Sequence, residues 1–174
     1  MTATAEHQWV ISSSQFEELY RSEGPRLVGL ARLLTRNPAT AEELVQDVFE
    51  RALRRRGASI DEPRAFLRQM VVNACRDAGR RKARGQRIGG RFNVVGPTST
   101  AGADVEAEGS ETKRRLRAAV DELPSPRREA VILRYFSQCS ITEVAETLGL
   151  PEGTVRSHLH RAMGQLEVLI GDLR

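Results

Sequence analysis

Side chains that can hydrogen-bond to DNA recur at helical spacing near the C-terminal end of the sequence. They are Arg156, Ser157, His160 and Arg161. An arginine can donate two hydrogen bonds to the O6 and N7 atoms of guanine, and a serine hydroxyl can bind a base edge or a phosphate. At about 100° per residue, these side chains leave one side of a helix together with two glycines, which would let DNA approach the backbone closely. The spacing predicts a helix face that reads DNA.

Two apolar stripes separated by a turn signal would position this face. The stripes consist of Ile141, Val144, Ala145 and Leu148, followed by Val155, Leu159, Ala162, Met163 and Leu166. Between them, Gly149 suits the left-handed residue that closes a helix, and Pro151 suits the start of the next one. Two helices around a tight turn form a helix-turn-helix, whose second helix enters the major groove. The alternative is a helical hairpin with a solvated polar face.

A second group of polar side chains lies in the middle of the chain. Pro63 predicts the start of a helix, whose inner side contains Phe66, Leu67, Met70, Val71, Ala74 and Ala78. A neighbouring stripe contains Gln69, Asn73, Arg76, Arg80 and Arg84, with Arg68, Arg81 and Lys82 nearby. Arginines suit phosphates, and amide side chains suit base edges. Because residues 51–91 hold 13 basic and 3 acidic residues, we interpret this helix as a nucleic-acid surface rather than an ordinary solvated face.

The preceding helix, which we predict to begin at Asn37-Pro38, carries an acidic face. Its inner stripe is Leu44, Val45, Val48, Phe49, Ala52 and Leu53. Its outer side shows Glu42, Glu43, Gln46, Asp47 and Glu50. An exposed acidic face commonly serves only solubility, whereas beside a DNA-binding block it also suits docking of a basic protein surface. The residues alone leave both interpretations open.

The organisation of the chain predicts an all-α fold of two small helical domains. Apolar residues make up 40% of the 174, and alternating β-branched runs are few. Residues 85–112 are rich in Gly, Ser, Thr and Ala and lack helical periodicity, as is typical of a linker. We predict a tail at residues 1–13, a first domain at 14–90, a linker at 91–112 and a second domain at 113–174.

Further helices complete the two predicted domains. Ser14 to Glu17 has the form of a capping box that opens a first helix, with a kink at Gly24-Pro25. The second domain is expected to contain four helices with the DNA-reading helix last. One of them spans Arg127 to Phe136, and Tyr135 or Phe136 is expected in its core.

Several function classes find no support in the sequence. The two cysteines, Cys75 and Cys139, lie far apart in apolar helical patterns, so we expect buried free thiols rather than a disulfide or a metal site. His158 and His160 would point about 200° apart on a helix, which disfavours a metalloprotein or a metal-dependent nuclease. With no signal peptide or membrane span in the sequence, we expect a soluble cytoplasmic protein without a cofactor.

The order and spacing of these motifs resemble those of extracytoplasmic-function (ECF) sigma factors, two-domain specificity subunits of bacterial RNA polymerase in the sigma-70 superfamily. AEELVQDVFERAL resembles the core-binding helix of region two, and FLRQMVVNACRDAGRR resembles its promoter-melting helix. LPSPRREAVILRYFSQCSITEVAETLGLPEGTVRSHLHRA resembles region four. Two departures are His158, where a basic residue is expected, and Ala78-Gly79, where we expect the end of the melting helix to fray.

The resemblance implies a role for each polar face. The residues implied to dock on the β′ clamp helices of core RNA polymerase are Glu43, Gln46, Asp47 and Glu50. The residues implied to bind the minus-ten promoter element are Gln69, Asn73, Arg76, Arg80 and Arg81. The residues implied to bind the minus-thirty-five element are Thr154, Arg156, Ser157, His160 and Arg161. The resemblance also implies that the protein contacts the β flap of polymerase and that the linker passes along the RNA path. It implies that the protein is not an enzyme. An anti-sigma factor is a possible further partner.

The main alternative is a helix-turn-helix transcriptional activator of the response-regulator type, because TVRSHLHRAMGQL also resembles the last helix of such regulators. That alternative requires a sensor domain before the helix-turn-helix. Residues 14–90 instead form a basic helical block without a phospho-acceptor or ligand-pocket pattern. A pure protein-interaction adaptor is a third hypothesis, distinguished by absence of DNA binding even in complex with polymerase.

Overall fold

The computed structural model describes residues 13–54, 62–88 and 111–171. For residues 13–15 and 86–88 it describes the backbone alone. The described residues are helical with short connections and contain no strand. The chain divides into two compact units, residues 1–88 and 89–174, which fits the predicted all-α architecture of two helical domains. No helix in the described ranges is long and apolar enough to cross a membrane. Most of the predicted tail and most of the predicted linker lie outside the described residues, and Ser13, predicted as the last tail residue, begins α1.

Within the described residues, the first unit contains three helices: α1, Ser13–Thr35; α2, Pro38–Arg54; and α3, Pro63–Ile88. As expected, Asn37 marks the boundary between α1 and α2, because its side-chain oxygen accepts a hydrogen bond from the backbone N–H of Thr40 at 3.0 Å. Helix α1 continues through Pro25 without interruption. The predicted capping box, Ser14 to Glu17, includes side chains at the start of α1 that the structure does not describe.

Helix α3 packs against both α1 and α2, which widens its buried side. Leu67, Val71, Val72 and Cys75 are buried, and the other predicted inner residues of α3 are half-buried. Val72 escaped the sequence prediction because a single helical stripe describes contact with one neighbour, not two. On the other side of the core, the ring of Phe49 meets the edges of Phe16 and Tyr20 at centroid distances of 5.8 and 4.8 Å.

Over residues 111–171 the second unit contains four α-helices, as predicted: α4, Glu111–Asp121; α5, Ser125–Val131; α6, Ile141–Leu148; and α7, Glu152–Gly171. A π-helix at Ile132–Phe136 extends α5. Helix α7 packs on α4, α5 and α6, so the unit is assembled around its apolar side. Ile132, Leu133 and Val155 lie in the core with almost no exposed surface.

The π-helix makes one core prediction wrong. Tyr135 and Phe136 are exposed by 51% and 47% rather than buried. A π-helix advances each residue by a smaller angle than an α-helix, so the side chains that follow Leu133 turn away from the core. The turn is closed by the backbone N–H of Cys139, which donates to the carbonyl of Leu133 at 3.0 Å. Met163 is also exposed, by 41%, because it lies at the edge of the apolar stripe of α7.

Two predicted boundaries also differ from the structure. Helix α3 continues through Ala78-Gly79 and ends at Ile88, so the helix does not stop at this pair of small residues. The linker-like composition that begins at residue 85 therefore overlaps the last turn of α3. At the other end of the predicted linker, Glu111 starts α4. Its carboxylate accepts hydrogen bonds from the guanidinium groups of Arg114 and Arg115 at 3.0 and 2.8 Å. An acidic residue in a first turn also interacts favourably with the helix dipole.

Candidate nucleic-acid interface

The helix-turn-helix is held by caps at both ends of α6. The Ser140 hydroxyl accepts from the backbone N–H of Glu143 at 3.1 Å, and the Glu143 carboxylate accepts from the backbone N–H of Ser140 at 2.8 Å. This capping box went unnoticed in the sequence, although the Ser-x-x-Glu pattern would have revealed it. At the other end Gly149 takes the predicted left-handed conformation, with φ at 65°. Leu150 then donates to the carbonyl of Ala145 at 3.0 Å, which completes the turn.

Helix α7 separates its two sides as the sequence predicts. Val155, Leu159, Ala162 and Leu166 are buried. The exposed residues include the predicted DNA-facing set of Gly153, Arg156, Ser157, His160, Arg161 and Gly164. Thr154 and His158 are half-buried. We call Arg156, Ser157, His160 and Arg161 the α7 polar face.

Glu152 connects the α7 polar face to α6, and sequence analysis missed this contact. One of its carboxylate oxygens accepts from the Thr142 hydroxyl at 2.7 Å. The other accepts from the guanidinium of Arg156 at 2.8 Å. The spacing from Glu152 to Arg156 is that of an ordinary i,i+4 pair and could have been noticed. The contact with Thr142 depends on how the two helices cross and has no sequence signal.

The predicted stripe on α3 is displayed toward solvent. Gln69, Asn73 and Arg80 are exposed, and Arg76 is half-buried. The Arg80 guanidinium donates to the carboxylate of Asp77 one turn earlier. This hydrogen bond lowers the pKa of Asp77 below its usual value, and the positive charges of Arg80, Arg81 and Arg84 lower it further. Asp77 therefore stays ionised at neutral pH and partly compensates the charge of the stripe.

Arg81 is turned by about 80° from Asn73 and by about 100° from Arg80 around the axis of α3. It lines a cleft between α2 and α3, together with Leu44, Asp47, Arg51, Ala74, Asp77 and Arg84. The two residues face different surroundings because successive residues of a helix point about 100° apart. Arg81 thus shares a cleft with the acidic face of α2. Arg84 of the α3 stripe lines the same cleft, whereas Arg80 does not.

The predicted acidic face of α2 is exposed along its length. Glu43, Gln46, Asp47 and Glu50 all lie opposite the buried stripe of the helix. Within this face, the Gln46 amide donates to Glu50 at 3.3 Å. Arginines one turn further on pair with two of the carboxylates: Arg51 lies 3.8 Å from Asp47, and Arg54 lies 3.2 Å from Glu50. Both pairs are solvent-exposed, where such contacts contribute little to stability. A basic partner surface could therefore replace them at low cost.

No group of three His, Cys, Asp or Glu side chains suited to a metal ion occurs among the residues that the structure describes. Both cysteines are buried and unbonded to each other, as expected from the sequence. The polar groups gathered on α2, α3 and α7 are instead exposed donors and acceptors on convex helix surfaces. Such surfaces bind extended partners rather than enclose a small substrate.

Comparison with protein families gives two matches, one in each unit. The model of Sigma-70 region 2 matches residues 19–85, which contain α2 and almost all of α3. The model of Sigma-70, region 4 matches residues 113–166, which contain the helix-turn-helix and most of α7. The two matches follow one another along the chain and cover all the candidate residues named above.

Individual proteins resemble the chain over nearly its whole length. It is 31% identical to RNA polymerase sigma factor CarQ of Myxococcus xanthus over 160 residues, or 91% of this chain and 90% of that one. It is 33% identical to ECF RNA polymerase sigma factor SigM of Mycobacterium tuberculosis, covering 91% and 78%. The sigma factor RpoE, solved with the anti-sigma factor NepR from Bartonella quintana, superposes with a TM-score of 0.75 at 25% identity, covering 92% and 99%. CnrH, solved with the cytosolic domain of CnrY, shares the fold with a TM-score of 0.66 at 23% identity, covering 93% and 91%.

Proposed function

Since the chain belongs to the family of ECF RNA polymerase sigma factors, we propose that it docks on core polymerase through α2 and holds promoter DNA through α3 and α7. A sigma factor of this family directs polymerase to promoters and starts transcription. The chain itself makes and breaks no bond in this process; it supplies binding surfaces and positions DNA. The alternative of a response-regulator type activator is not favoured, because region 2 occupies the part of the chain where a sensor domain would lie.

The observation that carries the proposal is the exposure of the α7 polar face on the second helix of a capped helix-turn-helix. In this arrangement the N-terminal part of the second helix enters the major groove. Arg156 and Arg161 would bind base edges of the minus-thirty-five element, with Ser157 and His160 beside them. Thr154, half-buried in the first turn of α7, suits a phosphate rather than a base.

The stripe on α3 suits the second part of a promoter, where the strands separate. Asn73 and Gln69 can hydrogen-bond to an unstacked base, and Arg76 and Arg80 can hold the neighbouring backbone. Taking a base out of the stack costs a few kcal/mol, which these contacts must offset. Arg81, placed in the α2–α3 cleft, would reach the backbone only along the border of the polymerase-binding face.

Binding to RNA polymerase is expected to bring these weak surfaces together. Each unit alone contacts only a short piece of DNA, so free protein should bind promoters poorly. When the polymerase holds both units, the second contact becomes intramolecular and gains from effective concentration. We propose the β′ clamp helices as the partner of the acidic α2 face and the β flap as the partner of the second unit.

An anti-sigma factor is a further proposed partner. The RpoE structure that the chain resembles was solved with the anti-sigma factor NepR. A protein of this kind would act on the present chain by covering surfaces that polymerase needs. The acidic α2 face is the first candidate, since its carboxylates are exposed and weakly paired.

Charge reversal on the α2 face tests polymerase docking. Glu43→Lys should reduce co-purification with core polymerase at least tenfold, because it places a cation where a basic clamp surface is expected. Asp47→Ala should reduce it less and tests the residue that faces the cleft. Glu18→Lys is the matched control, because Glu18 is exposed on α1 and points away from the core of the same unit. Unchanged co-purification of both α2 variants, with helix content preserved, would show that α2 is not the docking face.

A further inference from the structure

We propose that Glu152 is a positioning residue for promoter reading: anchored to α6 by Thr142, it holds the guanidinium of Arg156 in one orientation toward the DNA. The inference rests on the proposed function, in which Arg156 contacts a base. It adds two residues, Glu152 and Thr142, that the family resemblance did not single out.

The geometry places a single carboxylate between two helices. Glu152 is the first residue of α7, and Thr142 lies in the first turn of α6. Oε1 of Glu152 accepts from Oγ1 of Thr142 at 2.7 Å, while Oε2 accepts from Nη2 of Arg156 at 2.8 Å. Both distances are in the range of short charge-assisted hydrogen bonds. Because its two oxygens have different partners, the carboxylate cannot rotate without losing one of them.

This anchoring matters because the side chain of Arg156 is otherwise unrestrained by packing. Its exposed fraction is 57%, against 42% for Glu152. An arginine on an open helix face samples many rotamers, and a bidentate contact with a base must select one of them. Glu152 uses one of the five N–H donors of the guanidinium and so leaves enough donors for two hydrogen bonds to guanine. A side chain that is already oriented loses less entropy on binding.

The negative charge of Glu152 is expected to weaken non-specific binding to DNA, although the same side chain favours base-specific binding. Its carboxylate compensates the positive charge of Arg156 and lies on a surface that faces phosphates. Removing that charge should therefore strengthen salt-dependent binding to any DNA. Removing it should also weaken discrimination between bases, because Arg156 is no longer held. A residue that only supports folding would lower both quantities together.

The test measures initiation by holoenzyme on promoters with single base changes across the minus-thirty-five element. Arg156→Ala identifies the base that Arg156 reads and should cost about 5- to 150-fold in discrimination at that position. Thr142→Val, which replaces the hydroxyl by a methyl group, should cost about 2- to 10-fold at the same position and nothing elsewhere. Thr142→Ser keeps the hydroxyl and should restore discrimination. Glu152→Gln should combine lower discrimination with tighter binding to non-specific competitor DNA.

Two controls separate positioning from other effects. Glu167→Gln makes the same charge change at an exposed site further along α7 and should leave base discrimination unchanged. In an Arg156→Ala background, Thr142→Val should cause no further loss, because the group that it positions is gone.

The outcomes distinguish failure of the inference from failure of the proposed function. If Arg156→Ala changes discrimination at no single base, α7 does not read DNA as proposed, and the inference falls with it. If Arg156→Ala changes discrimination at one base, while Thr142→Val and Glu152→Gln lower initiation equally on every promoter, only the inference is wrong. The two residues then support the fold rather than the orientation of Arg156.

Discussion

At the scale of single residues, two arginines of the proposed DNA-binding surfaces already have a carboxylate partner one turn away. Arg80 pairs with Asp77, and Arg156 pairs with Glu152. These pairs are exposed, so each contributes little to the stability of its helix. Their larger effect is on binding, because a paired arginine attracts phosphates less strongly than an unpaired one. Selective contacts are therefore favoured over general attraction to DNA.

The Asp77–Arg80 pair gives a prediction for binding to single-stranded DNA. Asp77→Asn should raise the affinity of holoenzyme for non-specific single strands about two- to fivefold and steepen its salt dependence, because Arg80 becomes available to phosphates. Filter binding at several salt concentrations measures both quantities. Glu129→Gln, a half-buried site on α5 of the other unit, serves as a charge-matched control. An unchanged or weaker affinity of Asp77→Asn would contradict this interpretation.

The sign of the pH dependence follows from the lowered pKa of Asp77. A carboxyl whose pKa is lower in the folded than in the unfolded chain stabilises the fold above its unfolded pKa. That contribution is lost as the pH falls through the pKa of the folded state, which lies below the usual value for an aspartate. Between pH 5 and pH 8, Asp77 should therefore cause no change in stability or in binding.

Exposure of the candidate residues could be predicted from the sequence, whereas their contacts across helices could not. The 3.6-residue period determines which side chains of α7 lie opposite Val155 and Leu159, so the exposure of all four residues of the α7 polar face was predicted correctly. Arg81 was grouped with Arg80 through the family resemblance, although the helical period separates the two side chains by about 100°. The contact between Thr142 and Glu152 depends on the crossing of α6 and α7, which no local pattern encodes.

At the scale of helices, local stop and start signals gave most of the boundaries. Asn37-Pro38, Pro63 and Gly149 lie at or beside helix ends in the structure. The error at Tyr135 and Phe136 arose because a π-helix shares its composition with an α-helix and changes only the angle per residue. Val72 was missed because the buried width of α3 depends on two neighbouring helices. Periodicity thus predicts a helix well but not the number of helices packed around it.

A glycine on the first turn of α7 gives a prediction for that helix. An added Cβ at Gly153 would meet no atom of the chain within 4 Å, so nothing inside the protein requires glycine there. Gly153→Ala should leave thermal stability unchanged or slightly higher, since alanine favours helices. If DNA approaches the backbone at this point, initiation from minus-thirty-five-dependent promoters should fall about tenfold, equivalent to roughly 1.4 kcal/mol.

Gly29→Ala is the matched control for this helix prediction. Gly29 is exposed on α1, and an added Cβ there also meets no atom within 4 Å. The substitution should stabilise the first unit by about 0.5–1 kcal/mol without affecting initiation. Full initiation by Gly153→Ala would show that DNA does not come close to the start of α7.

At the scale of the whole molecule, each unit has its own apolar core and its own polar faces. The first unit combines the acidic α2 face with the α3 stripe, and the second carries the α7 polar face. A division into two helical units was predictable because the composition of residues 85–112 differs from that of the flanking sequence. The central claim is that these two units hold separate promoter elements when polymerase binds both of them.

Run-off transcription by purified protein with core RNA polymerase on a library of genomic fragments tests that claim most directly. We expect transcripts from discrete sites that share two short sequence motifs at a fixed spacing, and we expect Arg156→Ala to alter use of the upstream motif only. Transcripts no more frequent than with core polymerase alone, or start sites that share a single motif, would contradict the claim.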